Sequence, residues 1–202
     1  MHYRKGAEEM HIYFAGTQGF DAARAIAPGR GRSAESAAAW SLLLFALRRE
    51  RGLDALPAIA LDAAGKPYFP TESDICFSLS HTRGYVLCAL SSVPVGADVQ
   101  VVSDRDSRFA SRLMSERERA EFSLHELWCL REAVYKLCGR GSLRSMPFRR
   151  EGGVIAPPFD GVECRLYADI PGCACAAAAY ADTFPDTLVE VRPDRLEKGV
   201  VI

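Results

Sequence analysis

In WCLREAVYK, residues 128–136, Trp128, Glu132 and Lys136 stand four residues apart. On an α-helix each is turned about 40° from the last, so the three form one ridge. Alone, Glu132 and Lys136 read as an intrahelical ion pair worth about 0.2–0.5 kcal/mol. A second stretch, VGADVQ at 95–100, widens the possibilities. Strand alternation puts Val95, Ala97 and Val99 on one face and Asp98 with Gln100 on the other, roughly 7 Å apart. A carboxylate among valines is costly unless it is exposed, paired or bound to a cation. Mg²⁺ takes few protein carboxylates and completes its shell with waters and substrate phosphates. Asp98 and Glu132 suit such a site, and Lys136 could hold the same phosphate oxygens. An edge strand with a solvated aspartate fits the same letters.

Two shorter stretches carry polar side chains to strand ends or turns. Ser80, His81, Thr82 and Arg83 in FSLSHTRG make a reasonable anion cradle, although a hairpin turn with incidental polar residues reads equally well. Lys66 sits in the tight turn of GKP, residues 65–67, without the spacing of a P-loop.

These residues need elements to position them. MHIYFAG from Met10 alternates like a strand, with His11–Ala15 at its centre, whereas residues 1–9 are patternless and read as a flexible extension. Alanine and leucine at helical spacing predict a helix from about Ser33 to Arg51, stopped by Gly52. CFSLS and YVLCALSS predict two strands around the HTRG turn, with VPVGADVQ as a third. Ser115 with Glu118 makes a capping box opening a helix whose stripe includes Leu124, Leu127, Trp128, Val134 and Leu137, ending at Gly139. Several short strands follow. Runs of strands beside segregated helices predict an α+β fold. The expected plan is two similar lobes packed together, 10–100 and 101–202, each a long helix on a small, mostly antiparallel sheet.

Composition narrows the function classes. The 202 residues carry 25 Lys/Arg and 26 Asp/Glu, a net charge of −1, which argues against nucleic-acid binding through bulk basic charge. Seven cysteines, without a C-x-x-C pair, read as free thiols of a cytoplasmic protein. Cys173 and Cys175, without a nearby histidine, make a poor zinc site. With no signal peptide and no apolar run long enough for a bilayer, no membrane partner is expected.

Taken in order, the motifs resemble the 4′-phosphopantetheinyl transferase superfamily, in its longer, surfactin-synthetase-activating type, over about residues 11–200. Gly65-Lys66-Pro67, Ser80-His81-Thr82, Gly96-Ala97-Asp98-Val99-Gln100, Trp128 to Lys136, and Gly139-Arg140-Gly141 match its pattern. The resemblance implies Mg²⁺-dependent transfer of the phosphopantetheine arm of coenzyme A to a serine of an apo acyl or peptidyl carrier protein, releasing 3′,5′-ADP. It further implies a monomer of two pseudosymmetric lobes, with coenzyme A and the active site between them. Asp98, Glu132 and Gln100 would hold the metal, Glu132 would act as base, and Lys136 would neutralise phosphate. Lys66 and Pro67 would border the nucleotide, and Ser80, His81 and Thr82 would contact coenzyme A phosphates. Phe109, Leu113, Met114 and Phe122 would receive the carrier. Gln100 stands where many relatives have glutamate, and Arg131 and Arg140 replace lysines. The 3′-phosphate falls to Arg30, Arg32 or Arg83. A non-catalytic binder of coenzyme A or of a carrier protein is the alternative.

Overall fold

The computed structural model describes residues 10–27, 33–103, 112–180 and 184–197. Four layers stack helix, sheet, sheet, helix. The first sheet has the order β11-β1-β5-β4: β1 (Met10–Gly16), β4 (Cys76–Thr82) and β5 (Tyr85–Ser91) pair antiparallel, and the short β11 (Val189–Glu190) lies parallel to β1. The second sheet, antiparallel, has the order β6-β10-β9, from β6 (Val95–Val101), β10 (Cys173–Ala179) and β9 (Glu163–Tyr167). Two hairpins complete the strands, β2 (Ala60–Leu61) with β3 (Pro67–Tyr68) and β7 (Arg149–Glu151) with β8 (Val154–Ala156).

Helix α1 (Ala34–Arg51) covers the outer face of the first sheet. Ser33 caps it by accepting from the Ser36 amide at 3.1 Å, and Gly52 ends it at φ 66°, a left-handed angle that favours glycine. Leu42, Leu43 and Leu47 pack there against Tyr13, Val86, Cys88 and Leu90. Each fully buried leucine contributes about 1.5–3 kcal/mol. Between the sheets, Ile12, Phe14 and Leu87 meet Val95, Ala97, Val99 and Ala177.

The second sheet carries α3 (Leu124–Cys138), whose Leu127, Leu130, Ala133 and Val134 pack on Ala174, Ala176 and Ala178. Strand β10 is buried on both faces, so its run CACAAAA lacks polar alternation. All seven cysteines are free. No helix among the described residues is long and apolar enough to cross a membrane.

The α+β fold, with one long helix per sheet, agrees with expectation. Several details differ. The helix expected from Ser115 is two: α2 (Glu116–Glu121), then a break at Phe122 and a second capping box, Ser123 with Glu126, that starts α3. Strand β6 closes the first half of the sequence yet ladders with β10, while β11 from the second half joins β1. Met114 and Phe122 are buried in the α3 core, so neither is available to a docking partner. Phe109 and residues 1–9 lie outside the described residues.

Candidate functional site

One edge of β6 pairs with β10, and its other edge is met by side chains. The amides of Ala97, Val99 and Val101 donate to Ser78 Oγ at 2.9 Å, Ser80 Oγ at 3.3 Å and Thr82 Oγ1 at 3.3 Å. These hydroxyls alternate along β4 because side chains on one face of a strand recur every second residue. Two ammonium groups occupy the carbonyls: Lys66 Nζ donates to Val95 O at 2.7 Å and Lys136 Nζ to Ala97 O at 3.0 Å. A hydroxyl row and two lysines thus satisfy backbone groups that would otherwise be costly to bury.

Asp98 projects from this edge and is 2% exposed. Its Oδ1 accepts from Ser80 Oγ at 2.6 Å and from Lys136 Nζ at 2.7 Å, and its Oδ2 accepts from Gln100 Nε2 at 3.0 Å. Glu132 stands one helical turn before Lys136. Burial and then the nearby Asp98 charge push its carboxyl above the usual range, with Lys136 opposing. Burial likewise lowers the Lys66 ammonium, and Lys136 adds to that effect against Cys76 and Asp62.

A cavity of about 250 Å³ lies between the β2–β3 hairpin and α3, lined by residues including Gly65, Lys66, Pro67, Glu132, Tyr135 and Lys136. On the far side of Gln100, a second depression of about 360 Å³ is lined by residues including Leu113, Leu124, His125 and Trp128. Trp128 is only half-buried, so it shapes this depression instead of filling the core.

Gly96 sets the distance between helix and strand. A Cβ there would lie 1.9 Å from Ala133 O and 2.7 Å from the Leu137 amide. Only glycine lets α3 lie this close to β6. The approach brings Lys136 within reach of Asp98.

The sequence-derived candidates divide into three groups. Lys66, Pro67, Glu132 and Lys136 share the cavity, with Asp98 and Gln100 bonded to one another at its side. Ser80 and Thr82 point at β6, and Ser80 is buried. His81, pointing the other way, is exposed and close to Glu35 in the first turn of α1. Arg83 is exposed in the β4–β5 turn, and Arg30 and Arg32 lie outside the described residues.

Sequence reasoning missed the support beneath α3. Arg131, 2% exposed, pairs with Glu118 Oε1 at 3.0 Å and donates to Met146 O at 2.7 Å and Leu113 O at 2.6 Å. Burial works against the Glu118 charge, yet hydrogen bonds from Ser115 and Phe148, with Arg131, hold its carboxyl below the usual range. Six residues from three stretches of sequence converge here; the Ser115–Glu118 box has a local signal, whereas its meeting with Arg131, Met146 and Phe148 has none.

The donors of Asp98, Glu132 and the Gln100 amide are hard oxygens, which suit Mg²⁺. No three His, Cys, Asp or Glu side chains gather among the described residues. A cation completed by water and phosphate needs only two protein carboxylates, so the residues fit.

Residues 94–169 match the family model of the 4′-phosphopantetheinyl transferase superfamily, a span that holds Asp98, Gln100, Glu132 and Lys136. A 4′-phosphopantetheinyl transferase of Bacillus subtilis is 28% identical over 139 residues, 63% of this chain and 56% of that protein. The gsp 4′-phosphopantetheinyl transferase of Aneurinibacillus migulanus is 34% identical over 87 residues, 38% of this chain and 36% of its own. The Sfp 4′-phosphopantetheinyl transferase of Bacillus subtilis strain 168 is 28% identical over 150 residues, 65% of this chain and 67% of its own. The matched stretches therefore span between about a third and two thirds of these relatives' lengths.

Proposed function

We propose that the chain, similar over residues 94–169 to the 4′-phosphopantetheinyl transferase superfamily, transfers the phosphopantetheine arm of coenzyme A to a serine of an apo carrier protein. The observation that carries this reading is the meeting of Lys66, Glu132 and Lys136 on one cavity, with Asp98 bonded to Lys136 beside it.

In the proposed reaction the serine oxygen attacks the β-phosphorus of the pyrophosphate. A new P–O bond forms to serine, the bond to the α-phosphate oxygen breaks, and 3′,5′-ADP leaves with that oxygen. Glu132 takes the serine proton, directly or through a water, a task suited to a carboxyl whose affinity for protons is raised. Lys136 and Lys66 draw in the phosphoryl oxygens, where fixed positive charge stabilises the transition state. Asp98 and Glu132, with the Gln100 amide oxygen, would hold Mg²⁺, which when bound neutralises pyrophosphate charge. Lys66 comes from residues 10–100 and Glu132 and Lys136 from 101–202, so each half supplies one wall for coenzyme A. One chain supplies every group named here, which supports action as a monomer.

The test is to incubate the protein with coenzyme A, Mg²⁺ and a panel of apo acyl and peptidyl carriers and to weigh the carriers. At least one should gain one phosphopantetheine arm. Coenzyme A binding without any carrier gaining mass would favour the non-catalytic binder.

A further inference from the structure

We propose that Ser80 is a positioning residue for Asp98, fixing the direction of its carboxylate instead of contacting a substrate phosphate. The proposal rests on the transferase reading and concerns how its acidic site is held.

Ser80 is buried, and both of its hydrogen-bonding functions are used. Val99 N–H donates to Oγ at 3.3 Å, and Oγ lies 2.6 Å from Asp98 Oδ1. An ionised carboxylate only accepts, so the hydroxyl proton must point at Oδ1. The Val99 amide occupies a lone pair on the other side of Oγ, which pins that direction. Gln100 Nε2 holds Oδ2 at 3.0 Å. One donor on each oxygen fixes the plane of the carboxylate, while the ammonium of Lys136 shares Oδ1 with Ser80.

The neighbouring hydroxyls separate this role from simple scaffolding. Ser78 and Thr82 stand two residues either side on β4 and accept from Ala97 and Val101 amides. Ser78 bonds to the Ala97 backbone, with its Oγ 3.5 Å from Ala97 O as well. Ser80 has the same backbone role and an added bond to the acid. Phosphate recognition would need a free Ser80 proton, and this geometry has already committed it.

The experiment measures Mn²⁺ binding by electron paramagnetic resonance, with coenzyme A present, for wild type, Asp98→Asn, Ser80→Ala, Ser80→Thr and Ser78→Ala. Groups that orient a metal ligand usually cost about 10–100-fold in affinity when removed. Ser80→Ala should lose Mn²⁺ affinity on that scale while keeping its affinity for coenzyme A without metal. Ser80→Thr, which keeps the hydroxyl, should regain most of the loss. Ser78→Ala should melt earlier with its Mn²⁺ affinity kept. Should Ser80→Ala fail to fold, Ser80→Cys, similar in volume and a weak donor, takes its place. Mn²⁺ binding that Asp98→Asn abolishes and Ser80→Ala leaves intact overturns the assignment of Ser80 alone. An equal loss in Ser80→Ala and Ser78→Ala overturns it too, as does a loss of metal-free coenzyme A affinity in Ser80→Ala. Binding absent in wild type, or indifferent to Asp98→Asn, overturns the metal reading and the Ser80 assignment with it.

Discussion

Lys136 donates to Asp98 Oδ1 at 2.7 Å, across 38 positions of sequence, although Glu132 stands one turn away on its own helix. A surface pair within α3 would contribute little, whereas Asp98 is buried and needs a cation beside it. The same bond ties the helix to β6 and holds Lys136 at the cavity wall.

Lys136→Gln removes the positive charge. Asp98 keeps its Ser80 and Gln100 partners, so the expected loss of stability is about 1–3 kcal/mol. Transfer should fall by two orders of magnitude or more, about 2.7 kcal/mol of transition-state stabilisation. Urea unfolding and initial rates measured on one preparation check both.

Glu132→Gln should separate stability from activity. The folded protein raises the proton affinity of Glu132, so the ionised form is disfavoured in the fold. Stability associated with Glu132 is present below the unfolded carboxylate range near 4.3 and is lost as pH rises through the higher folded value. The variant should therefore melt higher than wild type at pH 7 and level with it near pH 4, while losing transfer at pH 7. A variant that melts lower at pH 7 would remove burial as the cause.

Gln100→Glu converts the Asp98 donor into a second carboxylate on the same strand face. Without metal the like charges should lower the melting temperature above pH 5, and Mg²⁺ should restore more of it than in wild type. Thermal melts with and without Mg²⁺ report this directly. A variant as stable as wild type without Mg²⁺ would show that the Gln100–Asp98 bond contributes nothing.

Gly96→Ala places a methyl group where Ala133 O already lies. Helix α3 must move outward, carrying Glu132 and Lys136 away from β6. Overpacking of this kind costs about 1–3 kcal/mol, and more where backbone has to shift. Transfer should fall further than the melting temperature alone explains.

Arg131→Lys tests the buried hub. A lysine cannot serve Glu118, Met146 O and Leu113 O together, because its donors share one atom while the guanidinium spreads its own. Breaking such a buried pair costs about 3–5 kcal/mol, and because lysine keeps the charge the expected loss is about 3 kcal/mol. Chemical denaturation measures it.

How much of this was legible in the sequence depended on range. Helix α1, its glycine stop, the β4–β5 hairpin and α3 from its stripe all follow from local periodicity and caps. The break at Phe122 had a local signal too, since Ser123 and Glu126 repeat the spacing of Ser115 and Glu118. Sheet membership did not, because β6 and β11 find partners 70 or more residues away. The acidic pair Asp98 and Glu132 could be named from residue type, yet the partner of Lys136 could not. Alternating hydroxyls on β4 read as a polar, ligand-facing strand. Their use as partners for a neighbouring strand edge depends on contacts that no local pattern records.

The measurement that tests the central claim most directly follows carrier mass and nucleotide release together in one reaction with coenzyme A, Mg²⁺ and an apo carrier. The account predicts one 3′,5′-ADP released for each phosphopantetheine arm gained, no release without carrier, and neither event with Asp98→Ala or Glu132→Ala. Nucleotide release that proceeds without a carrier, or full transfer by either variant, would contradict it.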